Sequence, residues 1–286
     1  MKCLYTSDVH GNRWIYERLF AEAEARDVGA VLLGGDLTPL IPPIPVMIER
    51  QRACWLEFLR PRCARLRASG KRVLLIPGND DLRANDDALR LGDAEGAWEL
   101  VHGGTAELDG HWIVGSGDIA LTPMILKDRE RYDVTHGEVR QSDALHLDPD
   151  NQLFSEPRTD ADLRRTLREE LTDLFARVPS GAPTILMAHV PPYDTALDVL
   201  YDGRKIGSEA VRAAIETHRP VLGLHGHVHE SPRMPGGSWR DAIGGTVVVN
   251  PGSSHHDGER ARLHLVSFDT EDVPGSIAYA QLPARA

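Results

Sequence analysis

The sequence predicts an α/β fold built on a mixed sheet or on two packed sheets. Two observations carry this. Five short apolar runs, KCLYTS, AVLLGG, RVLLIPG, TILMAH and VLGLHG, alternate with helical patterns, which argues for strands joined through helices. The segments 105–115, 245–250, 262–268 and 276–282 are strand-like with few helices between them, so a purely parallel sheet does not suffice. In chain order, residues 2–7 read as a buried strand. Residues 12–25 read as a helix, with Ile15, Leu19 and Ala23 at i, i+4 spacing. A strand over 30–35 follows. Residues 38–46 carry four prolines, which exclude helix and central strand. A strand over 72–78 comes next. Residues 127–160 are highly charged and aperiodic, and a stretch that long reads as a lid or excursion over the site. Residues 160–178 place Leu163, Leu167, Leu171, Leu174 and Val178 on one helical stripe. A strand at 184–189, a helix at 208–218 behind the N-cap Ser208, and a strand at 221–226 complete the pattern.

The chain has 286 residues, 41% hydrophobic and 26% charged, which excludes a disordered chain. No Pro/Gly/Ser-rich linker divides it, so one domain over 1–286 is expected. No apolar run reaches the roughly 20 residues of a membrane span, and MKCLYTSDVHGN lacks the pattern of a secretory leader. The net charge of −11 argues against coating long nucleic acids through general electrostatics. It leaves room for a locally positive, metal-built site. Cys3, Cys54 and Cys63 are an odd number without CxxC spacing, read as free thiols in a reducing cytoplasm.

Each of the five apolar runs ends in residue types that bind metals. These are Asp8 and His10, then Asp36, then Asn79 and Asp80, then His189, then His227 and His229 with His225 just ahead. Ligands of open α/β sheets bind beyond the carboxyl ends of strands, so the five ends should converge. Asp8-Val9-His10 and His227-Val228-His229 put paired ligands at i, i+2, on one face of extended backbone. Carboxylate, imidazole and amide oxygen suit Mn, Fe, Zn or a similar ion. Seven such ligands exceed the need of one metal, and two metals sharing a carboxylate fit better.

Asp8-x-His10, Gly35-Asp36, Gly78-Asn79-Asp80, His189 and Gly226-His227-x-His229 resemble the signature of the calcineurin-like metallophosphoesterases, in that family's order. The match spans residues 5–230, and VVVNPGSS at 247–254 extends it. HVPPYDTALD, Gly207-Ser208 and HGHVHES resemble a branch of small bacterial and archaeal members. The resemblance implies a four-layer sandwich of two mixed sheets flanked by helices. It implies one metal held by Asp8, His10, Asp36 and His229, and a second held by Asp36, Asn79, His189 and His227. The ions would be divalent or trivalent, and Asp36 and a hydroxide would bridge them. The implied reaction is hydrolysis of a small phosphate ester, diester or monoester, by that bridging hydroxide.

At the third block this sequence departs from the family's usual Gly-Asn-His. An isolated aspartate, with a pKa of about 3.9, would be ionised and a poor acid at Asp80, and two cations nearby would lower it further. That expectation favours good leaving groups over alkoxides, and leaves Asp80 to orient His189, His225 or a water. Asn12 is a candidate to reach a phosphate oxygen or to cap a helix, and His225 a candidate catalytic neighbour. Asn250 should shape a loop near the site, and His255 and His256 read as solvated loop at its mouth. The competing readings are a protein phosphatase and a catalytically silent, metal-stabilised binding scaffold. Oligomeric state is not legible.

Overall fold

A computed structural model describes residues 1–122, 128–135 and 165–285, together with the backbone of the antiparallel strand pair His146–Leu147 and Leu153–Phe154. The excursion expected over 127–160 lies outside the described residues, apart from 128–135 and that strand pair.

Among the described residues, twelve strands carry the fold. They are β1 Lys2–Thr6, β2 Ala30–Gly34, β3 Arg72–Ile76, β4 Glu99–Leu100, β5 Gly104–Leu108, β6 His111–Ser116, β7 Thr184–Ala188, β8 Leu222–Leu224, β9 Arg240–Ile243, β10 Thr246–Val249, β11 Arg262–Asp269 and β12 Ala278–Pro283. The helices that pack on them are α1 Arg13–Ala25, α2 Ile44–Ala53, α3 Arg60–Ala68, α4 Asp86–Ala94, α5 Leu167–Phe175 and α6 Glu209–His218.

Two six-stranded sheets form, ordered β12-β11-β1-β2-β3-β4 and β9-β10-β8-β7-β6-β5. In the first, β1 to β4 are parallel and β11 and β12 antiparallel. In the second, β10, β8, β7 and β6 are parallel, with β9 and β5 antiparallel at the edges. Both sheets are therefore mixed, as expected.

The apolar runs are continuous because each strand is buried on both faces. Cys3, Tyr5 and Leu32 pack with Ile185, Met187 and Leu224 between the sheets. The alternate residues turn outward. Leu4, Val31 and Leu33 meet the helices of the first sheet, while Leu186, Ala188 and Val248 meet α5 and α6. Period-two alternation thus builds helix, sheet, sheet and helix as four layers.

Three sequence expectations need correction. The stretch 105–115 is a hairpin, not one strand. It turns at Asp109 and Gly110, both at positive φ, the backbone a tight hairpin turn requires. The proline-rich 38–46 does enter a helix. α2 starts at Ile44 with Pro45 in its first turn, where a proline's missing N–H costs nothing. The helical stripe of 160–178 narrows to α5, opened by a capping box of Thr166 and Glu169; Leu163 lies outside the described residues. Among the described residues, no helix is long and apolar enough to cross a membrane.

Candidate metal centre

All seven predicted ligands lie just beyond the carboxyl ends of parallel strands. Asp8 and His10 follow β1, Asp36 follows β2, and Asn79 follows β3. His189 follows β7, and His227 and His229 follow β8. The backbone there is turned sharply. Asp8, His10, Asp36 and His227 take φ of 55°, 46°, 52° and 67°, a left-handed conformation that costs a non-glycine residue of order 1–3 kcal/mol. Close approach of the loops needs glycine at two points. A Cβ on Gly78 would stand 2.2 Å from Asp36 Oδ1, and one on Gly226 would stand 2.4 Å from Asp8 Oδ2.

Donor atoms of Asp8, His10, Asp36 and His229 all lie within 4.8 Å of one another. His10 Nε2 faces His229 Nε2 at 3.2 Å and Asp36 Oδ2 at 3.7 Å, and His229 Nε2 lies 3.2 Å from Asp8 Oδ1. This is the first set that the motif resemblance implies. The second set meets it at Asp36. His189 Nε2 lies 3.3 Å from Asp36 Oδ2 and 3.9 Å from Asp8 Oδ1. His227 Nδ1 lies 2.8 Å from Asn79 Oδ1.

Backbone groups lock these side chains. The His227 N–H donates to Asp8 Oδ1 (2.9 Å), the Asp80 N–H donates to Asp36 Oδ1 (2.8 Å), and the Ser7 hydroxyl donates to Asp8 Oδ2. His189 Nδ1 bonds the Gly34 carbonyl at 2.8 Å, which leaves Nε2 for the cluster. The buried Nε2 atoms of His189 and His227 have no hydrogen-bond partner among the described residues, and neither does that of His225. Buried polar atoms are rarely left so, and at His189 and His227, which border the carboxylates, a cation is the chemistry that would satisfy them.

Electrostatics agree. Burial holds His10 at about 4 and His227 at about 3, so both rings are neutral and offer lone pairs. For His189, burial is outweighed by the Asp36 and Asp8 carboxylates, which raise it to about 10. His229 is raised despite burial by its hydrogen bond to Asp8. Asp8 and Asp36, although buried, are held below the usual carboxylate range by His229 and His189. In the metal-free protein, the raised imidazoles of His189 and His229 thus face the lowered carboxylates of Asp8 and Asp36.

The remaining candidates sit as follows. Asp80 Oδ2 faces His10 Nδ1 at 3.8 Å, and Asp80 Oδ1 accepts from Asn79 Nδ2 at 3.0 Å. Its neighbour is therefore His10, not His189 or His225. In the metal-free protein, burial and the Asp36 carboxylate push its carboxyl well above the usual range. Asn12 caps α1 through Oδ1, and its Nδ2 donates to the His255 carbonyl at 3.0 Å. Both ends of that amide are engaged. His225 is buried, bonds the Ala188 carbonyl through Nδ1 (2.9 Å), and is absent from both ligating groups of histidines and carboxylates. Asn250 ties the loop as expected, donating to the Leu197, Gly226 and Val228 carbonyls.

One residue read as solvated loop, and one that sequence reasoning did not single out, belong to the site. His255 joins the cluster, with its ring centroid 3.9 Å from that of His10 and 4.9 Å from that of His229. Asp81 braces it. Its carboxylate accepts from Gly78 N (2.9 Å), Leu37 N (3.0 Å), Thr38 N (2.9 Å) and the Thr38 hydroxyl (2.5 Å). It thereby fastens the Asp36 loop to the Asn79 loop. The Asp81→Ala variant leaves these donors buried and unpaired, and should lose about 3 kcal/mol or more of stability. Urea unfolding of the metal-free protein checks this; a change within about 0.5 kcal/mol, the range of ordinary surface substitutions, contradicts the bracing role.

A family model described as Calcineurin-like phosphoesterase matches residues 1–231. The solved structure of TT1561 of Thermus thermophilus aligns at TM-score 0.62 and 18% identity, covering 99% of each chain. Another solved structure aligns at TM-score 0.63 and 16% identity, covering 98% of each chain. At such identities the likeness is one of fold. No curated protein matches.

Proposed function

Since the chain belongs to the calcineurin-like phosphoesterase family, we propose that it hydrolyses small phosphate esters at the cluster of Asp8, His10, Asp36, Asn79, His189, His227 and His229. The observation that carries this is the convergence of the Asp8, His10, Asp36 and His229 donors within 4.8 Å of one another, at the strand ends where this fold gathers ligands. One ion would be held by Asp8, His10, Asp36 and His229, and a second by Asp36, Asn79, His189 and His227. Mn, Fe or Zn suits the donors. When bound, such ions supply Lewis-acid charge for the phosphoryl oxygens and activate water near neutral pH.

The chain's own groups do the positioning. Asp36 reaches histidines of both sets. The Gly34 carbonyl aims His189, and Asp80 stands behind His10. Beside Gly11 and Pro39, just after His10, opens a cavity of about 520 Å³ whose wall carries Arg13, Arg50 and Arg62. Glu57 shares that wall and Arg62 pairs with Glu17 at 3.2 Å, so the net positive character there is modest. The strands after residue 231 support one catalytic domain over 1–286, because β11 pairs with β1 and β10 with β8.

The test is hydrolysis of bis-p-nitrophenyl and p-nitrophenyl phosphate with Mn²⁺, with chelator, and with Mn²⁺ restored. Turnover that is lost and regained is expected. Preference for the diester marks a phosphodiesterase, and preference for the monoester a phosphomonoesterase. No turnover of either ester by the Mn²⁺-loaded protein overturns the small-ester reading and leaves the protein phosphatase and the metal-stabilised scaffold.

A further inference from the structure

The Ser253 hydroxyl has one proton, and it goes to the Asp8 carbonyl at 2.6 Å. Toward His255 the same oxygen can therefore only accept. It lies 3.2 Å from the His255 backbone N–H and 3.0 Å from His255 Nδ1. Nδ1 must then carry the ring proton, which leaves the Nε2 lone pair of the neutral imidazole free. That is the tautomer of a metal ligand oriented by its other nitrogen.

The loop holds this ring against the cluster. Asn12, at the start of α1, donates to the His255 carbonyl at 3.0 Å, and His256 packs on the ring at 3.6 Å between centroids. Donor atoms of His10, His229 and His255 lie within 4.8 Å of one another. We propose that His255 is a further ligand of the metal held by Asp8, His10, Asp36 and His229, supplying a third imidazole to that ion. This rests on the reading that the cluster binds metal. His255 lies outside the segment 1–231 that the family model matches, so the motifs do not account for it. A third imidazole biases the site toward Co²⁺, Zn²⁺ or Fe²⁺ and away from Mg²⁺.

Titration with Co²⁺ tests this, read by affinity and by the visible spectrum. The His255→Ala variant should bind the first Co²⁺ at least about tenfold more weakly and shift its d–d bands. Its metal-free thermal transition should stay at the wild-type position, since the ring sits on a half-buried loop. Wild-type binding with a variant unchanged in affinity and spectrum overturns the ligand and leaves the metal centre standing. Weaker binding with an unchanged spectrum also overturns it, because an indirect role does not alter the donor set. Failure of the wild-type protein itself to bind Co²⁺ overturns the metal centre, and His255 with it.

Discussion

The Asp36→Asn variant should lose metal-dependent hydrolysis of bis-p-nitrophenyl phosphate by on the order of 10³-fold, the scale on which single groups of a preorganised charged site act. Asp36 Oδ2 lies 3.3 Å from His189 Nε2 and 3.7 Å from His10 Nε2, so it is in reach of both histidine sets, as is Asp8 Oδ1 at 3.2 Å from His229 Nε2 and 3.9 Å from His189 Nε2. Asparagine keeps an oxygen for the Asp80 N–H at 2.8 Å, and replaces the charged Oδ2 that faces His189 and His10 by a neutral NH2 donor. The fold should survive, which circular dichroism and the thermal transition of the metal-free protein can verify. Rates at saturating Mn²⁺ within about tenfold of wild type, roughly 1.4 kcal/mol, would place the reaction elsewhere.

Metal loading should release protons and strengthen steeply with pH. A histidine must be neutral to bind a cation. His189 is raised to about 10 by the Asp36 and Asp8 carboxylates against the opposing effect of burial, so at pH 7 it is protonated. A cation has to displace that proton. His229 is raised by the same kind of contact and works in the same direction. His10 and His227, held at about 4 and about 3 by burial, have no proton to lose. Apparent affinity should therefore rise by about tenfold per pH unit for each proton displaced, up to the pKa of the displaced group. Calorimetric titration in buffers of different ionisation enthalpy measures the proton count directly. Binding without proton release would mean that His189 is not a ligand.

The metal-centre candidates were legible because each strand is a compact apolar run and each ligand follows its strand within a few residues. Asp8, Asp36, Asn79, His189 and His227 needed only the rule that such strand ends converge. The four layers were legible only through the family motifs. Continuous apolar runs such as AVLLG hide the alternation that sends Leu32 between the sheets and Leu33 under the helices. The helical stretch from Ile44 to Ala68 was obscured by prolines. Its middle, Cys54–Leu59, winds as a π-helix just before Pro61, a wide turn that fits a residue without an N–H. His255 was read as solvated loop for a different reason. It lies beyond the motif blocks, and reaches His10 because Ser253 and Asn12 fold its loop back over the β1 end.

Anomalous diffraction from crystals soaked in Mn²⁺ would locate the ions. Two peaks are expected, one ringed by Asp8, His10, Asp36 and His229 and the other by Asp36, Asn79, His189 and His227, with Asp36 touching both. No peak at Asp36 in protein that hydrolyses phosphate esters under the same Mn²⁺ concentration would contradict the metal centre.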